Sequence, residues 1–66
     1  MHLLLQDPSY TTRLASFLKS LGQHPVVASP NELELDNHTD ETSRIEMEIY
    51  LRVWHVLYPE AEVELA

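Results

Sequence analysis

The chain has 66 residues, of which 11 are acidic, 4 are basic and 44% are apolar, and it contains no cysteine. This length allows one small domain, and without cysteine the chain forms neither disulfide bridges nor Cys-based zinc sites. A chain this short buries only about 60% of the surface that its unfolded form exposes, and self-association is a common source of additional stability.

The net charge of −7 comes from the second half of the chain. Residues 32–66 carry ten carboxylates against Arg44 and Arg52, a net charge of −8, whereas residues 1–31 have a net charge of +1. Nucleic-acid binding needs clustered Lys and Arg, and an acidic field also repels anionic membranes. We therefore expect no nucleic-acid or membrane partner. Such a field attracts a basic partner or cations, or it serves only to keep the protein soluble.

The N-terminal segment does not fit the pattern of an export signal. Its apolar run at residues 3–5 has no basic residue before it and is soon followed by Asp7 and Pro8. No apolar run approaches the roughly 20 residues that a membrane-spanning helix needs. The sequence therefore predicts a cytoplasmic location.

A strand and an amphipathic helix are predicted first. The apolar run at residues 2–6 is too brief for a helix, and Asp7 then serves as the N-cap of a helix that begins at Pro8. Gly22 stands where the left-handed residue that ends a helix is expected. Apolar residues recur between these two ends on one helical face: Tyr10, Leu14, Phe17, Leu18 and Leu21.

A hairpin is predicted next. Residues 25–28 are rich in β-branched side chains, residues 29–31 have the composition of a turn, and residues 32–36 alternate with period two. The polar stretch after them contains Thr39 and Asp40, either of which can cap a helix. At the end of the chain, residues 60–65 alternate again and predict a short strand.

Residues 44–58 fit two patterns. Their alternation is typical of a long half-buried strand, but at 100° per residue the segment resolves into three helical stripes. These are a polar edge (Arg44, Glu48, Arg52 and His55), an aliphatic face (Ile45, Ile49, Val53 and Val56) and a bulkier face (Met47, Leu51, Trp54 and Tyr58). The length, the upstream caps and the stop at Pro59 favour the helix.

The predicted order β-α-β-β-α-β is that of the ferredoxin-like fold. The whole chain, residues 1–66, then forms one α+β domain in which a four-stranded antiparallel sheet carries both helices on one face. No internal repeat or linker competes with this plan.

The chain resembles short bacterial proteins of no assigned function. They share an Asp-Pro opening of the first helix and a second helix rich in alternating Glu and aliphatic residues, features carried here by Asp7, Pro8 and residues 46–54. The resemblance covers nearly the whole chain. It implies a helix at residues 44–58 and no particular activity.

The two faces of the predicted sheet differ in character. The residues expected to point at the helices are Leu3, Leu5, Leu33, Leu35, Val63 and Leu65. Those expected to point away include His2, Glu32, Glu34, Glu62 and Glu64, around a centre at Leu4. This acidic face opposes RNA binding, for which domains of this plan use aromatic and basic residues. It is either an ordinary solvated face or a surface for a basic partner or for an oligomer.

The second predicted helix has more apolar surface than a sheet needs. Since one stripe is enough to cover the sheet, the bulkier face must meet the first helix, a second subunit or another protein. Aromatic residues and Met are enriched in interface cores. The candidate interface residues are therefore Met47, Tyr50, Leu51, Trp54 and Tyr58.

No catalytic, cofactor-binding or metal site is predicted. The serines lie at helix starts, on a polar helix face or in turns, and the single glycine follows a helix, so a phosphate-binding loop is excluded. The nearest metal-like cluster is Asp36, His38, Asp40 and Glu41, which lacks the spacing of a calcium loop. An enzyme assembled at a subunit interface would use His55, Glu48 and His2 as its acid–base groups.

These features predict a non-enzymatic interaction or regulatory module that forms a homo-oligomer, most simply a dimer. The alternative is a ligand-sensing domain similar to ACT domains, which share this order of elements and which the chain resembles at Asp7, Pro8 and Ser9. That resemblance implies small effectors, often amino acids, near the first loop and commonly at a dimer interface. ACT loops typically have glycine where this chain has Ser9, so no binding residue is assigned.

Overall fold

A computed structural model describes residues 1–35 and 41–65, with the main chain only at Glu41 and Ser43. The elements are β1 (His2–Leu5), a 3-10 turn (Pro8–Tyr10), α1 (Thr11–Ser20), β2 (Pro25–Ser29), β3 (Glu32–Leu35), α2 (Glu41–Leu57) and β4 (Val63–Leu65). The strands form one antiparallel sheet in the order β2-β3-β1-β4. The predicted α+β fold with a ferredoxin-like plan is confirmed.

Both ends of the first helix follow from local chemistry. The Asp7 carboxylate accepts hydrogen bonds from the Ser9 main-chain N–H (3.0 Å) and hydroxyl (2.7 Å), and the first turn is a 3-10 helix, not α. At the other end Gly22 has a φ of +85°. The N–H groups of Gly22 and Gln23 donate to the carbonyls of Lys19 and Leu18, which is the Schellman motif.

The hairpin has the predicted turn and one irregularity. Pro30 and Asn31 connect β2 to β3. Val27 lies opposite Leu33 whereas Ser29 lies opposite Glu32, so β2 has one extra residue, a bulge.

Residues 44–58 are helical, as predicted, except for the last. Helix α2 begins earlier, at Glu41, and ends at Leu57, just before Tyr58 and Pro59. Its proposed caps Thr39 and Asp40, and the proposed cluster at residues 36–41, lie outside the described side chains. Neither helix in the described residues is long and apolar enough to cross a membrane.

The core lies between the sheet and the two helices. The side chains predicted to face the helices do so: Leu3, Leu5, Leu33 and Leu35 are buried, and Val63 and Leu65 pack partly buried against them. The helices contribute Leu14 and Leu18 from α1 and Met47 and Trp54 from α2, and Ala61 completes the core. Leu21, predicted on the apolar face of α1, is exposed.

The bulkier face of α2, which was predicted to be an interface, is instead part of the core. Met47 and Trp54 are 3% and 1% exposed, and Tyr50, Leu51 and Tyr58 pack against the same core. These five side chains are therefore not a free interface. The aliphatic face is the one left without a cover, because the larger side chains fill the space between α1 and the sheet.

Candidate functional site

An aromatic cluster holds the bulkier face of α2 against α1. The Trp54 ring lies 5.5 Å from Phe17, 4.5 Å from Tyr58 and 6.4 Å from Tyr10, measured between ring centroids. Arg13 covers the cluster, with its Cζ 5.4 Å and 5.7 Å from the centroids of Tyr10 and Tyr58, within the range of cation–π attraction. These contacts explain why the predicted interface aromatics belong to the core.

A hydrogen bond ties this cluster to the loop before β4. The Tyr10 hydroxyl donates to Glu60 Oε1 at 2.7 Å. This bond raises the pKa of Tyr10 above its ordinary value and lowers the pKa of the Glu60 carboxyl, because it favours the neutral phenol and the ionised carboxylate. The indole N–H of Trp54 is buried and has no acceptor among the described residues.

The acidic face lies where the sequence predicts it. Its residues, His2, Glu32, Glu34, Glu62 and Glu64, are on the side of the sheet away from the helices. His2 is opposite Glu34, and Leu4 is opposite both Glu32 and Glu64, so Leu4 has a carboxylate on either side. His2 Nδ1 is 2.5 Å from Glu32 Oε2, a contact that links β1 to β3.

The second surface, which we call the α2 stripe, consists of the exposed aliphatic residues of α2: Ile45, Ile49, Val53, Val56 and Leu57. At 100° per residue they occupy a sector of about 120° whose centre lies opposite Leu51. They are 48–79% exposed, which leaves on the order of 500 Å² of apolar surface, interrupted by the exposed Glu46 in the same sector. That is as large as the largest apolar patches of ordinary monomers, which are often functional.

The third surface, which we call the β4 groove, lies between α2 and β4. It has a volume of about 560 Å³ and is lined by Glu48, Leu51, Arg52, Trp54, His55, Val56, Ala61, Val63 and Leu65. A second hollow of about 400 Å³ adjoins β4 and is lined by Leu4, Leu5, Gln6, His55, Glu62, Val63 and Glu64. Both hollows adjoin β4, one of the two edge strands of the sheet.

The acid–base groups considered for an enzyme are only partly brought together. Glu48 and His55 both line the β4 groove, whereas His2 lies on the acidic face against Glu32. Among the described side chains no three His, Asp or Glu residues are placed to hold a metal ion.

The ACT resemblance points to the loop between β1 and the first helical turn, where Asp7 acts as the N-cap. Asp7 accepts the Ser9 amide and hydroxyl. These hydrogen bonds lower the pKa of the Asp7 carboxyl below its ordinary value. An acidic effector at this helix start would therefore meet a carboxylate.

No protein-family model, curated protein or solved structure matches this chain.

Sequence reasoning identified the acidic face but not the α2 stripe or the β4 groove as candidate sites. The sequence did contain a signal for the stripe, namely that α2 is apolar on nearly all sides. Such a helix is expected to be buried on nearly all sides, so any side left exposed is a candidate contact. The groove had none, because it depends on how far α2 stands from the last strand.

Proposed function

We propose that this protein is a non-enzymatic interaction module that forms a homodimer through the α2 stripe. The observation that carries the proposal is the exposure of five aliphatic side chains on α2, opposite a core that is already complete. Exposed apolar surface of this size is costly in water, and covering it stabilises a small domain.

The area of the stripe is suitable for a second copy. Homodimer interfaces are about 65% apolar, so roughly 500 Å² of apolar surface corresponds to about 800 Å² buried on each partner, the size of a standard specific interface. A two-fold axis places the same patch on both subunits. Antiparallel packing of two α2 helices through their stripes, with the two-fold axis at the height of residue 51, brings Ile49 opposite Val53 of the partner subunit and Ile45 opposite Leu57 of the partner subunit.

The charge distribution permits this approach despite the net charge of −7. Glu32, Glu34, Glu62 and Glu64 lie on the far side of the sheet from the helices. The polar edge beside the stripe is mixed, with Arg44 Nε 3.8 Å from Glu48 Oε1 and Arg52 one turn further on. Glu46 also lies within the sector of the stripe, and the antiparallel arrangement places it at the level of Val56 of the partner subunit, away from its own copy. Two copies that meet at α2 therefore keep their acidic faces apart.

The test is the molar mass in solution, measured by light scattering and by sedimentation over a range of protein concentrations. The unsubstituted protein is expected to be a dimer. Val53→Lys places a charge from each subunit in the contact and raises the dissociation constant roughly 100-fold. Val26→Lys is the matched control, because Val26 is also about half exposed but lies on the sheet. It is expected to leave the dimer intact.

A monomer at every concentration contradicts the proposal. So does equal loss of the dimer in Val53→Lys and Val26→Lys. Circular dichroism of each variant shows whether the protomer has kept its fold, which the position of Val53 outside the core leads us to expect.

Ligand sensing of the ACT type is the alternative, supported by the strand order β2-β3-β1-β4 that those domains share. Its test is a thermal-shift screen with amino acids and small metabolites. A rise in Tm with one compound favours this function, and a flat screen removes it.

A further inference from the structure

The outer edge of β4 has unused main-chain groups. Among the described strands β4 pairs only with β1, and the Gln6 N–H donates to the Glu62 carbonyl at 3.2 Å. Because main-chain groups alternate in direction along a strand, Glu62 and Glu64 turn theirs toward β1, and Val63 and Leu65 turn theirs outward. No described residue bonds to these outward groups.

The opposite edge of the sheet is protected. Strand β2 begins at Pro25 and has a bulge between Val27 and Ser29. A proline and a bulge are two of the devices by which proteins prevent an edge strand from pairing with another chain. Val63–Leu65 has neither, and pairing is limited by its shortness and by the charges of Glu62 and Glu64.

Two hollows of different chemistry adjoin β4. On the helix side, the β4 groove offers apolar contacts with Leu51, Val63 and Leu65, and the polar edge of α2 borders it. The second hollow is bordered by the carboxylates of Glu62 and Glu64, which lie on the sheet face away from the helices, and also by His55 of α2. A strand laid against this edge would thus meet apolar surface with one set of alternate side chains and negative charge with the other.

We propose that the outer edge of β4 binds an extended segment of a basic partner protein as a fifth strand of the sheet. Main-chain hydrogen bonds to Val63 and Leu65 supply affinity, as in other complexes formed by strand addition. Specificity comes from a segment in which small apolar residues alternate with Lys or Arg. This inference goes beyond the homodimer proposed above, because it uses the main-chain edge of β4 and another partner. The α2 stripe and the β4 groove share Val56, but the main-chain groups of Val63 and Leu65 lie outside the stripe.

A second copy of the chain does not suit this edge. Antiparallel pairing of β4 with β4 of another subunit would place Glu62 and Glu64 beside the same residues of that subunit. Like charges on neighbouring strands are destabilising. A basic segment reverses the sign of this interaction, so charge complementarity favours a different protein.

The first test uses a fluorescein-labelled peptide of alternating lysine and valine and measures fluorescence anisotropy. All described strand pairs are antiparallel, and an antiparallel added strand directs its valine N–H groups at Val63 and Leu65. N-methylation of the valines is expected to weaken binding at least about ten-fold, and N-methylation of the lysines less than about three-fold. Equal effects of the two methylations would overturn strand addition.

The second test changes the protein. Glu64→Lys is expected to weaken peptide binding at least about ten-fold, because the substituted residue borders the edge. Glu34→Lys is the matched control, since it makes the same change of charge on the same sheet face but on β3. Its expected effect is less than about three-fold. Equal losses would show that the peptide responds only to net charge and would overturn the site.

The result of the peptide-binding tests can be distinguished from the result of the homodimer test. Val53→Lys is expected to bind the peptide as the unsubstituted protein does, whether or not the dimer exists, because Val53 does not line the β4 groove. Absence of binding by the unsubstituted protein up to about 1 mM peptide would overturn the inference and leave the dimer proposal unaffected.

Discussion

The two helices lie on the same face of one sheet but have opposite outer surfaces. Helix α1 is amphipathic: Leu14 and Leu18 are buried, and its outer face carries Arg13, Ser16 and Lys19. Helix α2 buries Met47 and Trp54 and yet exposes the five aliphatic residues of the α2 stripe. A helix that needs only to cover a sheet looks like α1. The second apolar face of α2 is the difference between the helices on which the proposed homodimer rests.

The largest expected effect separates the two faces of α2. Trp54→Ala removes the centre of the aromatic cluster and is expected to lower the free energy of unfolding by about 3–5 kcal/mol. A small domain has little more than that in total, so most of the variant should be unfolded. Val53→Ala, one residue away but in the stripe, is expected to cost less than about 0.5 kcal/mol in the monomer.

Urea titrations followed by circular dichroism at low protein concentration measure the cost of Val53→Ala, and the spectrum without urea shows whether Trp54→Ala is folded at all. Trp54→Phe is the conservative variant. It keeps aromatic packing and removes an indole N–H that has no acceptor among the described residues. We expect it to be folded, with a loss well below that of Trp54→Ala. Similar costs for Trp54→Ala and Val53→Ala would contradict the assignment of the two faces.

A smaller effect is expected at Thr11, the one buried polar side chain among the described residues of α1. Thr11 is 3% exposed, and its Oγ1 donates to the Pro30 carbonyl at 2.7 Å. Thr11→Val keeps the shape but removes the donor, at a cost of about 1 kcal/mol. Thr12→Val, on the exposed face, is the matched control and is expected to be neutral within about 0.5 kcal/mol. Urea denaturation compares them, and equal stabilities would show that the hydrogen bond contributes nothing.

The smallest effects concern pH. The pKa values of Asp7 and Glu60 are lowered in the folded protein by hydrogen bonds from Ser9 and Tyr10. Their contribution to stability is therefore complete above the ordinary values of 3.8 and 4.5 and is lost as pH falls through the lowered pKa of each group. The raised pKa of Tyr10 acts in the other direction: its contribution is complete below 10.0 and is lost as pH rises through the folded value.

Tyr10→Phe tests the source of these shifts. The pKa of Glu60, followed by NMR titration, is expected to move back toward 4.5, while the pKa of Asp7 stays low because Ser9 still donates to it. The acid limb of the curve of Tm against pH should become shallower. An unchanged pKa of Glu60 would show that the hydrogen bond with Tyr10 is not its cause.

Local chemistry made much of the fold predictable. Asp7, Pro8 and Gly22 delimit the first helix because capping and left-handed backbone depend on neighbouring residues alone. Alternation likewise places Leu33 and Leu35 on one face of β3 and Glu34 on the other. The extra residue at the bulge near Ala28 was not predictable, because it depends on the pairing of β2 with β3.

The acidic face was predictable for the same reason, and the α2 stripe was not. Period two decides which side chains share a sheet face, whereas both apolar stripes of α2 satisfy the helical period equally. Only the space beneath the helix selects between them. Rings at positions 10, 17, 54 and 58 pack together there, which leaves Ile45, Ile49 and Val53 outside.

The sequence by itself determined a small acidic α+β domain, the order of its elements and the sign of its sheet face, since these depend on composition, caps and period. Tertiary structure decided which face of α2 is core, where the β4 groove opens and which main-chain groups stay unpaired. Those outcomes depend on contacts between residues far apart in the chain, such as Tyr10 with Glu60, whose energies no local pattern contains.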